Sequence, residues 1–67
     1  MIEVTVNGEK IQIKENSTLQ ELLEELGIVE RVMASAVNME IVKKEHYTQK
    51  QLKDGDRLEL LDFVGGG

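Results

Sequence analysis

Residues 15–27, ENSTLQELLEELG, decide the fold because they carry the clearest helical pattern in the chain. The leucines recur at intervals of three and four, which places them on one stripe of an amphipathic helix: Leu19, Leu22, Leu23 and Leu26. Two capping boxes are available at its start, Ser17 with Gln20 or Thr18 with Glu21. Gly27 can take the left-handed conformation that ends a helix. The stretch therefore predicts one capped helix with a leucine face to bury.

The residues before this helix predict a β-hairpin. Residues 2–6 and 11–13 alternate apolar with polar side chains, and Asn7-Gly8 lies between them. Asn-Gly is typical of the tight turn that joins two antiparallel strands. We therefore expect two paired strands ahead of the helix.

The residues after the helix predict three short strands, VMASAVN at 32–38, EIVKK at 40–44 and RLELLDFV at 57–64. In the first of these Ala34 and Ala36 share one face, and if that face meets the leucine stripe, the helix can approach the sheet closely. Ser35 and Val37 would then lie on the other face. The stretch EHYTQKQLKDGD between the last two strands is polar, with Leu52 as its one apolar anchor.

This order of elements predicts the α+β class with a ubiquitin-like β-grasp fold: a mixed sheet of four to five strands with one main helix packed on one face. Residues 1–67 would form a single domain, with 65–67 as a flexible C-terminal glycine tail. By fold analogy the first hairpin and the last strand are neighbours. The predicted core consists of Ile2, Val4, Val6, Ile11, Ile13, Leu19, Leu22, Leu23, Leu26, Ile41, Leu52, Leu58 and Leu60.

Composition argues against several classes of function. The chain has no Cys, so no thiol chemistry or disulfide is available. A net charge of -5 with one Tyr and one Phe argues against nucleic acid as a partner. No glycine-rich nucleotide motif occurs. No apolar run reaches the length of a signal peptide or a membrane span, so we expect a cytoplasmic protein with no membrane partner.

The charged residues predict no catalytic or metal site. His46 is the only imidazole and is interpreted as a surface loop residue, since metal sites gather several such ligands. The acidic residues of the helix region are interpreted as its solvated side and can steer a basic partner: Glu21, Glu24, Glu25 and Glu30. A loose lysine cluster on loop and edge strand discourages edge-to-edge pairing: Lys43, Lys44, Lys50 and Lys53.

The last six residues, DFVGGG, are the strongest functional candidate. Glycine lacks Cβ, so a tail of Gly65, Gly66 and Gly67 can pass through a narrow channel. Extended, residues 62–67 reach at most about 20 Å. That suffices to carry the Gly67 carboxylate into a partner's active site, although a frayed end is the alternative reading.

The last strand stays apolar beyond its core-facing positions. Leu61 and Phe63 are in phase with Arg57 and Glu59, so they should project away from the helix, with Val37 beside them. Exposed apolar clusters on a small protein commonly mark a docking surface. We therefore predict partner docking through Leu61, Phe63 and Val37.

Over its whole length the chain resembles the ThiS family, the ubiquitin-like sulfur carriers of thiamin biosynthesis. The resemblance rests on VNGE at 6–9, the capped leucine helix, AVNMEIV at 36–42, LKDGDRLEL at 52–60 and the final Gly-Gly pair. The chain departs from the family pattern at Lys43-Lys44, where Pro-Arg is often found, and at Gly65, where Ala is frequent.

The resemblance implies a carrier that acts as a co-substrate and not as an enzyme. A ThiF-like, ubiquitin-activating-like adenylyltransferase would use ATP to adenylate the Gly67 carboxylate. A sulfur donor protein would then displace AMP and leave a C-terminal thiocarboxylate, whose sulfur thiazole synthase would place in the thiazole ring of thiamin. The chain itself would bind no cofactor.

Three alternatives stay open at this point. The sister carrier of molybdopterin synthesis has the same chemistry but is typically longer and has a more Pro-containing approach to its Gly-Gly pair. A ubiquitin-like modifier would form isopeptide conjugates with lysines. A β-grasp interaction module would keep its function when Gly66 and Gly67 are deleted.

Overall fold

The computed structural model describes residues 1–62. It contains five strands, one α-helix and one short 3-10 helix: β1 Ile2–Val6, β2 Glu9–Ile13, α1 Leu19–Leu26, β3 Val32–Val37, β4 Glu40–Val42, the 3-10 helix Lys44–His46, and β5 Arg57–Asp62. The strands form one mixed sheet in the order β2-β1-β5-β3-β4, and α1 packs Leu19, Leu22 and Leu23 against one face. The predicted α+β, β-grasp architecture is confirmed. Within the described residues no helix is long and apolar enough to span a membrane.

Strand β5 lies at the centre of the sheet although it comes last in the chain. It runs parallel to β1, with Thr5 opposite Arg57 and Val6 opposite Leu58. On its other side it runs antiparallel to β3. The predicted neighbourhood of the first hairpin and the last strand is therefore confirmed.

Both ends of α1 are closed by the signals seen in the sequence. The capping box uses Thr18, since the Glu21 N–H donates to Thr18 Oγ1 at 3.2 Å and the Thr18 N–H donates to Glu21 Oε1 at 2.8 Å. At the other end Gly27 has a φ of 74°. The Ile28 N–H donates to the Leu23 carbonyl at 3.0 Å, which completes a Schellman motif.

The connection between β4 and β5 supplies backbone acceptors for the first N–H groups of α1. The Leu19 N–H donates to the Lys50 carbonyl at 2.8 Å, and the Gln20 N–H donates to the Tyr47 carbonyl at 3.0 Å. These are the first two helical N–H groups, which have no partner inside a helix. The connection is therefore held against α1, and two of its residues, Tyr47 and Leu52, are buried in the core.

The observed core lacks some residues of the predicted core and contains others that were not predicted. Leu26 is 41% exposed and Ile41 is 78% exposed, so placing them in the core was wrong. Leu26 is the last residue of α1, and Ile41 lies on an edge strand opposite Ala36, on the face away from the helix. Ile2, Val6 and Ile11 are only partly buried, whereas three residues absent from the predicted core belong to it: Val32, Val37 and Tyr47.

A β-bulge in β3 reverses the predicted faces of that strand. Val32 pairs with Asp62 while Ala34 pairs with Leu61, so Met33 is the extra residue. Beyond the bulge Ser35 and Val37 face the helix and are each 2% exposed. The face with Ala34 and Ala36 is therefore the open face and does not meet the leucine stripe, contrary to the arrangement considered from the sequence.

Candidate functional site

The candidate site lies at the end of β5, beyond the point where its pairing with β1 stops. β1 pairs with β5 only as far as Val6 and Leu58, and Asn7 then turns the chain away with a φ of 49°. The Asn7 side chain continues the pairing: the Leu60 N–H donates to Asn7 Oδ1 at 2.8 Å, and Asn7 Nδ2 donates to the Leu60 carbonyl at 3.2 Å. The backbone of β5 is thus held from both sides almost to its last described residue.

The face of the sheet opposite the helix carries an apolar surface around Leu61. Ala34 pairs with Leu61 and Ala36 pairs with Ile41, so these four side chains share one face. Together with Glu59, which is opposite Ala36, they line a shallow depression of about 260 Å³. Leu61 is 60% exposed and Ile41 is 78% exposed. We call Ala34, Ala36, Ile41 and Leu61 the open-face patch.

The open-face patch contains one of the three predicted docking residues. Leu61 has the predicted exposure, and its docking role stays a prediction. The predicted exposure of Val37 was wrong, because the bulge at Met33 turns Val37 toward α1. Ile41 occupies the open face instead. The position of Ile41 follows from its pairing with Ala36. The sequence alone does not give that pairing, because it does not fix the register between β3 and β4.

The predicted docking residue Phe63 and the predicted tail residues Gly65, Gly66 and Gly67 lie outside the described residues. Their proposed roles are therefore argued from chemistry and from the point at which β5 ends. That point is Asp62, which pairs with Val32 at the start of β3.

The part of the chain that the structure describes offers no metal centre: it has no group of three or more His, Asp or Glu side chains placed to hold an ion. Two buried oxygens, Ser35 Oγ and Tyr47 Oη, have no hydrogen-bond partner there. Both residues are at most 3% exposed, so neither hydroxyl is accessible to a substrate.

Comparison with known proteins assigns the family. The model of the ThiS family matches residues 2–67. The chain belongs to the ThiS family. It is 35% identical to the sulfur carrier protein ThiS of Bacillus subtilis, over 92% of this chain and 96% of that protein. It is 32% identical to the sulfur carrier protein ThiS of Escherichia coli, over 98% of this chain and 100% of that protein.

A solved structure and a longer protein extend this picture of the ThiS family. The crystal structure of the thiamine biosynthesis protein ThiS from Geobacter metallireducens superposes with a TM-score of 0.81 at 34% identity, covering 98% of this chain and 100% of that one. A thiazole synthase of Paramagnetospirillum magneticum is 41% identical over 98% of this chain. The chain spans only 20% of the length of that protein.

Proposed function

We propose that the chain carries sulfur as a thiocarboxylate on the carboxyl group of Gly67 and delivers it for the thiazole ring of thiamin. As a member of the ThiS family it is a sulfur carrier and not an enzyme. The observation that carries the proposal is the match to two ThiS sulfur carriers over almost their whole length, in a chain whose central strand leads directly into the Gly-rich end.

The chemistry suits a chain without cysteine. A carboxylate is a poor electrophile, because its charge is shared by two oxygens and neither is a good leaving group. Attack of the Gly67 carboxylate on the α-phosphorus of ATP releases pyrophosphate and gives an acyl adenylate. The sulfur of a donor protein then attacks the carbonyl carbon, and AMP leaves with the electron pair of the C–O bond. With a persulfide as the donor group, the product is an acyl disulfide. A second thiol of the donor then attacks the donor's own sulfur, so the S–S bond to the acyl group breaks, a donor disulfide forms and the thiocarboxylate stays on Gly67. This thiocarboxylate is a nucleophile that needs no Cys side chain.

The fold supports this role by fixing the point from which the tail starts. Asn7 and β3 hold β5 on its two sides, so the position of Asp62 relative to the open-face patch is set by the sheet. A partner that docks on the patch, with Leu61 and Phe63 among its contacts, would receive the tail at a defined place. Residues 62–67 would reach at most about 20 Å into that partner.

The proposed partners are a ThiF-like adenylyltransferase, a sulfur donor protein and thiazole synthase. The last is supported by the thiazole synthase of Paramagnetospirillum magneticum, which contains a region similar to this chain. The adenylyltransferase follows from the need to activate a carboxylate. Because that activation consumes ATP, we propose that the reaction takes place in the cytoplasm.

Mass spectrometry of the intact protein from its native host tests the proposal. Exchange of one oxygen for sulfur, localised to Gly67 by fragmentation, is the expected result. The same sample should lose its sulfur to the thiazole product when thiazole synthase and the substrates that supply the carbon and nitrogen of the ring are added. Unmodified Gly67 after incubation with ATP, a cognate adenylyltransferase and a sulfide source would contradict the proposal and favour an interaction module with an incidental tail.

A further inference from the structure

A second depression lies at the edge of the sheet next to the open-face patch. It has a volume of about 370 Å³ and is lined by Ile41, Val42, Lys43, His46, Gln49 and Lys50. We call it the basic depression. We propose that it binds acidic side chains of the protein partner that docks on the open-face patch. The inference rests on the proposed function, which identifies that partner as the ThiF-like adenylyltransferase.

The backbone beneath the basic depression is held in place. The Lys50 and Tyr47 carbonyls accept the first two N–H groups of α1, as described above. The His46 N–H donates to the Lys43 carbonyl at 2.8 Å, and the Lys50 N–H donates to the His46 carbonyl at 3.0 Å. Tyr47, 3% exposed, anchors the segment in the core. The cationic side chains therefore start from fixed positions.

Two lysines line the basic depression, Lys43 and Lys50, and Lys44 follows Lys43 in the chain. No hydrogen bond or ion pair within residues 1–62 engages the side chain of Lys43, Lys44 or Lys50. The chain as a whole has a net charge of -5, so this concentration of positive charge opposes its general field. A local field of this kind attracts and orients an acidic partner surface.

Ile41 joins the two surfaces, because its side chain lines both depressions. An apolar contact at the open-face patch would therefore continue directly into cationic groups at its border. Protein interfaces commonly have this arrangement, with an apolar centre and a polar rim. A partner with an apolar side chain over Ile41 and carboxylates beside it matches both parts.

The lining favours carboxylates of a protein over phosphate. Ile41 and Val42 make part of the wall apolar. The wall has no arginine, whose planar fork matches phosphate in two bonds at once. The adjoining 3-10 helix has only three residues, too few for a helix-terminal anion site. A long polyanion such as RNA would also meet the net negative charge of the rest of the chain.

Charge reversal with a matched control tests the inference. The variant Lys43→Glu/Lys50→Glu changes the net charge by the same amount as Lys10→Glu/Lys14→Glu, which lies in and just after β2 at the opposite edge of the sheet. Association with purified ThiF-like adenylyltransferase and with thiazole synthase would be followed at low and high ionic strength. We expect the first variant to associate with the adenylyltransferase about tenfold more slowly than the unmodified chain at low salt. The difference should disappear near 1 M salt, where screening acts within about 3 Å.

Circular dichroism would establish that each variant is folded, and Lys43→Gln/Lys50→Gln provides a milder change with an intermediate expected effect. Equal slowing by both charge-reversed variants, or no slowing by either, would overturn the inference. So would an inorganic phosphate titration that shifts the amide signals of the basic depression while partner association stays unchanged in the variants.

Failure of this inference is distinguishable from failure of the proposed function. If only the inference fails, the unmodified chain still binds its partners and Gly67 still acquires sulfur. If the proposed function fails, Gly67 acquires no sulfur and neither enzyme binds the unmodified chain.

Discussion

Asn38 and Asp56 are joined through their side chains, with Asn38 Nδ2 donating to Asp56 Oδ1 at 2.9 Å. The second oxygen of Asp56 accepts the Lys53 N–H at 2.8 Å, and Asn38 Oδ1 accepts the Arg57 N–H at 3.0 Å. Asp56 is only 9% exposed. The turn between β3 and β4 is thus tied to the start of the central strand, which gives the Asn in AVNMEIV and the second Asp in LKDGDRLEL a structural reason.

We predict that Asp56→Asn lowers the free energy of unfolding by about 1 to 3 kcal/mol, because an amide supplies only one acceptor oxygen where two donors point at a carboxylate. Urea denaturation measures the change. Asp54→Asn is the control, since Asp54 uses a single oxygen to accept the Glu3 N–H and an amide can keep that bond. Equal losses in the two variants would contradict the prediction.

Ser35 offers a change in the opposite direction. Its hydroxyl is buried on the helix side and has no hydrogen-bond partner within residues 1–62. Ser35→Ala should raise the free energy of unfolding by about 1 kcal/mol, since it removes a desolvated polar group. Ser17→Ala, at a half-buried position before α1, should change stability by less than about 0.5 kcal/mol. A destabilised Ser35→Ala variant would mean that the hydroxyl has a partner in solution.

The sequence was sufficient where the relevant signal is local. The spacing of Leu19, Leu22 and Leu23 and the Thr18 capping box needed no tertiary information. The exposure of Leu61 followed from alternation along β5. All of these depend on periods that an isolated helix or strand already has.

The rest depended on how the strands meet. The bulge at Met33 changes the phase of β3, so simple alternation put Val37 on the wrong face. Ile41 could be placed only after its pairing with Ala36 was known. Tyr47 lies in the connection between β4 and β5, outside any strand or α-helix. Such a segment has no regular alternation of side chains, so the sequence does not show which residues point into the core. The basic depression could not be predicted for the same reason. Ile41 and Lys50 are distant in sequence, and the path of that connection brings them to one depression.

Asn7 gives a prediction about the end of β5. Asn7→Gly keeps the left-handed turn without strain but removes both side-chain hydrogen bonds to Leu60. We expect a loss of about 1 to 2 kcal/mol in the free energy of unfolding. Amide hydrogen exchange should be faster at Leu60. Gln12→Gly, an exposed position on the edge strand β2, is a control for the effect of glycine within the sheet. Unchanged exchange at Leu60 in Asn7→Gly would show that the side chain does not hold the strand.

The docking role of Leu61 can be tested by comparing Leu→Gln at position 61 with the same substitution at Leu26. Leu61→Gln should weaken binding to the adenylyltransferase by about tenfold or more, which corresponds to about 1.4 kcal/mol, because an apolar contact is lost at the centre of the patch. Leu26→Gln, on the helix side of the sheet, should leave binding unchanged. Calorimetric titration of folded variants measures both. Equal affinities for the two variants would remove the open-face patch from the interface.

Deletion of Gly67 tests whether the length of the tail determines which carboxylate can be adenylated. The core and the strand pairing described above lie within residues 1–62, so we expect the free energy of unfolding to change by less than about 0.5 kcal/mol. Adenylation by the partner enzyme should nevertheless be abolished, although the shortened chain still ends in a glycine carboxylate. A carboxylate that ends about 3.5 Å short cannot reach the α-phosphorus of ATP, since the starting point of the tail is fixed by β5. Addition of one glycine after Gly67 is the control. It also leaves a terminal glycine carboxylate but makes the tail one residue longer instead of one residue shorter. Formation of the acyl adenylate in the deleted chain, detected by ATP–pyrophosphate exchange, would mean that the reach of the tail does not select the reacting carboxylate.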